Sequence, residues 1–211
     1  MRLLIFDLDG TLIDSLADLA NATNQMLEHF SRPKLAVDEV RKLVGQGARR
    51  LVERALSGAT PEEVDQALQL FLDFNLAHIA DETRAYPGVA ETLQKLGEKG
   101  YTCCVLSNKN VALCRQVLDT LGMSGLVSAI YGADSFPWRK PSPEPILALL
   151  KQYQVAPRDA AMIGDSINDI AAGSGAGVVT IGCSYGYGDR SELDGAEYVV
   201  GKFAELLQIL N

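Results

Sequence analysis

The chain is predicted to be an α/β protein: a doubly wound, Rossmann-like parallel sheet core with an all-helical cap inserted after the first strand. Three observations carry this. Short unbroken apolar runs recur, as strands buried on both faces demand. Helical periodicities separate them, the alternation that covers a parallel sheet on both sides. Residues 15–84 show helical periodicity and no strand pattern. The division is therefore an α/β core of residues 1–14 and 85–211 and a helical cap of residues 15–84.

The elements follow in order. Leu3-Leu4-Ile5-Phe6 is the first strand. In the helical span, Gly45 and Gly47 break the early helices, and Thr60-Pro61-Glu62-Glu63 reads as a capping box opening a long helix. The sheet core resumes at Tyr86-Pro87-Gly88. Helices are expected at 88–99, 111–121, 143–153 and 167–172, with Ser142 as cap and Pro143 at the first helical position of the third. Strands are expected at 101–106, 160–163 and 178–181, with weaker patterns at 129–131 and 198–200.

Composition narrows the function. Hydrophobic residues make up 47% of the 211 and charged residues 22%, as in a soluble globular protein. A net charge of −8, with no basic cluster beyond Arg49-Arg50, disfavours nucleic acid. No apolar run approaches the ~20 residues that span a bilayer, and no cleavage site follows Arg2, so a cytoplasmic protein is expected. Cys103, Cys104, Cys114 and Cys183 form no Cys-x-x-Cys pair and join neither His29 nor His78 at zinc spacing; buried thiols and ordinary histidines are expected.

Ligands of a doubly wound sheet collect at the carboxyl ends of its strands. Polar residues stand there: Asp7-Leu8-Asp9, Ser107-Asn108-Lys109, a path through Asp134 to Arg139-Lys140, and Gly164-Asp165-Ser166-Ile167-Asn168-Asp169. Asp7 and Asp9 share a face if the strand geometry continues. Asp165 and Asp169 share a helical face if a helix starts there. Either of the latter alone is explained by helix-dipole stabilisation, but acids converging from two strand ends call for a hard cation, Mg2+.

Such a set suits a phosphate group. The cation and Lys140 neutralise phosphoryl oxygens, while Ser107 and the amides of Asp9 and Gly10 donate to them. Asp7 could attack phosphorus; Asp9 would protonate the leaving alkoxide and then activate water, which requires it to hold a proton near neutrality.

These motifs, in this order, resemble those of the haloacid-dehalogenase-like superfamily of phosphatases. The resemblance implies Asp7 as nucleophile, Asp9 as acid/base, and Ser107 and Lys140 as phosphoryl clamps. It implies Mg2+ held by Asp7, the Asp9 carbonyl and Asp165, with Asp169 orienting that shell. Asn108 and Gly10 would contact substrate. Val44-Gly45-Gln46-Gly47-Ala48 with residues 51–56, and Ser184-Tyr185-Gly186-Tyr187-Gly188, are similar to phosphoglycolate phosphatases. Trp138-Arg139 and Gly173-Ser174-Gly175 depart from the expected pattern.

The implied reaction is Mg2+-dependent hydrolysis of a small phosphomonoester, with 2-phosphoglycolate the leading substrate. A sugar phosphate, pyrophosphate, or a phosphomutase reaction through the same aspartyl-phosphate are the alternatives. Arg49 or Arg50, if turned inward, would pair with a substrate carboxylate. The partner is then a small phosphorylated metabolite, not nucleic acid or membrane, and the chain a monomer or homodimer. Gly182-Cys183-Ser184-Tyr185-Gly186 fits a serine-nucleophile elbow formally, but no histidine follows it.

Overall fold

A computed structural model describes residues 2–210. Six strands form one parallel sheet: β1 (Leu3–Phe6), β4 (Thr102–Leu106), β5 (Ala129–Tyr131), β6 (Ala160–Gly164), β7 (Val179–Cys183) and β8 (Tyr198–Val200). Their order is β5-β4-β1-β6-β7-β8. The chain moves outward from β1 through β4 to β5, then returns to lay β6 on the other side of β1. The switch point thus lies beside β1, where open α/β sheets bind ligands.

Side chains alternate across this sheet. Leu4, Phe6, Val105, Ile163 and Ile181 pack to one face, against α5 (Val89–Glu98), α6 (Val111–Thr120) and α9 (Leu206–Ile209). Leu3, Ile5, Cys104, Leu106 and Met162 pack to the other, against α7 (Glu144–Tyr153) and α8 (Ile167–Ala176). Both faces are apolar, so the strands carry the continuous hydrophobic runs seen in the sequence.

The helical insert comprises α1 (Leu16–His29), α2 (Val37–Arg41), α3 (Ala48–Ala55) and α4 (Pro61–Ala77). These helices gather around a cluster of their own, including Leu19, Met26, Leu51, Val52, Val64 and Phe71. The capping box of α4 forms: Glu63 N–H donates to Thr60 Oγ1 at 3.3 Å, and Thr60 N–H to Glu63 Oε2 at 2.7 Å. Gly47, at φ +86°, caps α3 in a conformation that side chains other than hydrogen disfavour.

Three details depart from the sequence reading. A two-stranded antiparallel ribbon, β2 (Ile13–Asp14) with β3 (Arg84–Ala85), carries the chain into and out of the insert. Two residues are too few to show a period, so the ribbon left no pattern, and it places Arg84 in a strand inside the span read as wholly helical. Ser142 does not cap α7 directly: the cap position is Pro143, and Ser142 Oγ only accepts from Glu144 N–H at 3.4 Å. Helix α8 runs four residues further than expected, to Ala176. A Cβ at Gly173 would lie 2.6 Å from Thr180 Cγ2, so its glycine lets the helix press onto the sheet. Among the described residues, no helix is long and apolar enough to cross a membrane.

Candidate active site

Just past β1, the Asp7 N–H still donates to Ile163 O at 2.9 Å, so Asp7 is held by the sheet itself. The chain then turns tightly, with Leu12 and Ile13 N–H both donating to Leu8 O. Gly10 makes this possible, at φ +86°, and a Cβ there would sit 2.3 Å from Asp165 Oδ2. Its N–H is committed to Ile13 O at 2.9 Å, so the expectation that Gly10 donates to substrate through that amide is corrected.

Asp7, Asp165 and Asp169 bring carboxylate oxygens within 4.8 Å of one another. They do so differently from the sequence reading. Asp165 does not belong to α8: Ser166 caps that helix in extended conformation, and Asp165 precedes it at the end of β6. Asp165 Oδ1 accepts from Thr11 Oγ1 and Oδ2 from Tyr187 N–H, each at 2.8 Å. Asp169 is fully buried. Its Oδ2 accepts from Ser166 N–H and Oγ, closing the capping box, while Oδ1 accepts from Lys140 Nζ at 2.7 Å.

Lys140 also stands 2.9 Å from Asp7 Oδ1 as an ion pair. That oxygen is buried and has no aligned hydrogen-bond donor. Burial pushes the Asp7 carboxyl up to about 6; Lys140 opposes the shift and Asp169 adds to it. Burial, then Asp169 and Asp7, push Asp165 up to about 8. Burial alone would lower the Lys140 pKa, but Asp169 and Asp7 together hold it above the ordinary lysine range. Three clustered carboxyls, with one ammonium paired to two of them, leave a buried excess of negative charge. Clustered oxygen donors, one of them without a hydrogen-bond donor, fit a hard divalent cation.

Asp9 lines the same cavity as Asp7, but its carboxylate turns elsewhere. Lys109 Nζ approaches it at 3.0 and 3.3 Å, and Ser15 Oγ donates to Oδ1 at 2.5 Å. Ser107 lines the cavity too, buried behind the Lys109 N–H, which donates to its Oγ at 3.3 Å. Asn108 also borders it, yet its amide is spent on structure: Nδ2 donates to Gly45 O and Lys140 O at 2.9 and 2.8 Å. Asp134 accepts from Val111 N–H at the start of α6 and takes no part.

Arg49 and Arg50 are not brought to the site. Leu51 and Val52 face the insert's core, so the two preceding arginines point to solvent, where Arg49 pairs with Asp65 and Arg50 with Glu53. Neither borders the cavity between insert and sheet. The arginine that does bridge insert and core is Arg41: Nε donates to Tyr187 O at 2.8 Å and Nη2 to Gly186 O at 3.3 Å. No motif marked it. Lys109 stood at a strand end in the sequence but carried no assigned role, and Tyr187 stood in a quoted stretch without one. His29 and His78 lie outside the site, beside Gln66 and Asp81. All four cysteines are free and buried.

Fold and site together define a hydrolase-like α/β enzyme whose acidic centre lies at the sheet's switch point, under a helical insert. Comparison with known proteins places it further. The haloacid dehalogenase-like hydrolase family matches residues 4–183, and the chain belongs to that family. It is 42% identical over 194 residues to a phosphoglycolate phosphatase of Psychrobacter arcticus, covering 88% of this chain and 84% of that one. A phosphoglycolate phosphatase of Chromobacterium violaceum is 38% identical, over 100% of this chain and 96% of its own. The crystal structure of a predicted phosphoglycolate phosphatase from Haemophilus somnus 129pt superposes with a TM-score of 0.96 at 31% identity, covering 100% and 98% of the two chains.

Proposed function

We propose that the chain hydrolyses a small phosphomonoester, 2-phosphoglycolate to glycolate and phosphate, through an aspartyl-phosphate on Asp7. The carrying observation is the buried group of Asp7, Asp165 and Asp169 with Lys140 between two of them, beside the cavity that Asp7 lines. The choice of substrate is supported by the names of relatives that share most of their length with this chain.

Mg2+ would be held by Asp7 and Asp165, with the Asp9 carbonyl, and would supply positive charge to the phosphoryl oxygens. Lys140 adds a second positive charge and keeps Asp7 and Asp169 in place. Asp7 Oδ bonds to phosphorus as the bond to the glycolate oxygen breaks. Asp9 delivers a proton to that oxygen, then takes one from the water that attacks the aspartyl-phosphate, releasing phosphate and restoring Asp7. Lys109 and Ser15 fix the Asp9 carboxylate for both transfers. Ser107 donates to a phosphoryl oxygen. The free, buried thiols suit a reducing cytoplasm.

A panel of small phosphates, assayed for released phosphate with and without Mg2+, tests the reading. Preference for 2-phosphoglycolate is the expected result. A different preferred ester would reassign the substrate; absence of phosphate release from every ester would end the phosphatase reading.

A further inference from the structure

The cavity has a second polar end that the reaction does not use. Its walls on the insert side are apolar, from Leu19, Val44, Leu51 and Phe71, and among them stands Asn75 of α4. Asn75 is 2% exposed, and its Oδ1 is buried with no hydrogen-bond partner. A buried amide without partners costs stability, and an apolar residue of like size would fill this position at no such cost. Asn75 lies in the last turn of α4, whose cap residues are Thr60 and His78, and its Oδ1 joins no polar network. What remains is the cavity it borders.

We infer that Asn75 is the insert's contact for the organic half of the substrate, donating from its amide to a carboxylate oxygen of the leaving group. The inference rests on the phosphomonoester reading and deepens it. Three features favour an anionic group with acceptor oxygens there. The amide can turn either end to the cavity, so its N–H groups are available. Apolar walls exclude water and strengthen a hydrogen bond to a charged acceptor. Lys109, paired with Asp9 at 3.0 Å, is the cation among the described residues lining the cavity and brings positive charge to that wall. Asn75 thus takes the part that Arg49 and Arg50 cannot reach.

The experiment compares Asn75→Leu and Asn75→Ala with the unaltered protein on 2-phosphoglycolate and on p-nitrophenyl phosphate, with thermal unfolding followed in parallel. Expected is a fall in kcat/KM of about 10-fold or more on 2-phosphoglycolate, the scale of a lost hydrogen bond to a charged group. The aryl ester, which offers no carboxylate, should change less than threefold. Asn75→Leu should unfold at the same temperature as the parent or higher, because it removes a buried polar atom without a partner. Equal losses on both esters, no loss on either, or a lower unfolding temperature for Asn75→Leu would overturn the assignment. If the unaltered protein ignores 2-phosphoglycolate, the substrate reading fails on its own. Asn75 is then judged on the best ester found: a variant effect that does not depend on polar groups in the leaving half overturns it, and one that does upholds it.

Discussion

Tyr187 holds Asp165 through its main chain, N–H to Oδ2 at 2.8 Å, while its hydroxyl lies 2.6 Å from the Ser15 N–H that donates to it. Ser15 in turn donates from Oγ to Asp9. One residue therefore touches the supports of both Asp165, a proposed cation ligand, and Asp9, the proposed acid/base. Arg41 of the insert grips the same segment at Gly186 and Tyr187 O, so the placement of α2 and of both carboxylates is mechanically joined.

The two halves of this link are separable. Tyr187→Phe keeps the main-chain bond to Asp165 and loses the hydroxyl. It should lower kcat about 10-fold through a misplaced Asp9 and leave the Mg2+ concentration for half-activity unchanged. Gly186→Ala should do the reverse, because a Cβ there would lie 2.3 Å from Asp165 Cβ. Its half-activity Mg2+ concentration should rise at least severalfold. Titrating activity against Mg2+ in both variants checks the pair; identical shifts would refute the division.

Asp7→Asn should reduce turnover to the detection limit, since an amide does not attack phosphorus. It should also remove one charge from a buried acidic group. In a chelating buffer the variant should then be at least as stable as the parent by urea unfolding, and Mg2+ should stabilise it less. A variant both inactive and poorly folded would leave the loss of activity attributable to the fold.

Much of this was legible in the sequence, for a physical reason. Strands buried on both faces must be apolar without interruption, and the polar residues ending Leu3–Phe6 and Ala160–Gly164 stand out against that run. The acids of the candidate site were therefore visible as breaks in a pattern. The insert offered no such contrast. On α3, Arg49 and Arg50 looked functional because they were charged and adjacent to glycine, whereas Asn75 looked like any polar residue on a long helix. What separates them is burial, and burial on an amphipathic helix depends on which neighbours it packs against. Arg41 was missed for a related reason: its partners are main-chain carbonyls at Gly186 and Tyr187, and carbonyls leave no trace in a sequence.

Arg49→Ala and Arg50→Ala should therefore leave kcat/KM for 2-phosphoglycolate within twofold of the parent. Both side chains are exposed and paired with exposed acids, contacts that contribute little and are screened by salt. Steady-state assays at two salt concentrations are sufficient. A selective loss on 2-phosphoglycolate would mean that one arginine reaches the cavity after all.

Thiol chemistry gives an independent check of the core. Burial pushes the Cys103 thiol up to about 12, and burial also raises Cys104. A raised thiol pKa means that thiolate is scarce below it, and thiolate is the reacting form. At pH 8 a disulfide reagent should label none of the four cysteines within minutes in the folded protein, and all four in denaturant. Labelling should accelerate only as the pH approaches 12 or the fold opens.

Lys140 tests the electrostatics most directly. It is 3% exposed, pairs with both Asp7 and Asp169, and so carries the positive charge that offsets the buried acids. Lys140→Met keeps the length of the side chain and removes the ammonium. Breaking a buried pair from one side leaves the opposite charge without compensation, at a cost of about 3–5 kcal/mol. The Asp7 pair is solvent-poor but not closed, so the lower end is expected in metal-free urea unfolding at pH 7. Mg2+ should recover part of that loss by supplying positive charge to the same carboxylates, whereas a packing defect would be insensitive to the cation. Activity should not return, because Lys140 is also a phosphoryl clamp in the proposed reaction. A stability loss below 1 kcal/mol, or one that Mg2+ leaves untouched, would show that Asp7 and Asp169 do not share the charge of this lysine.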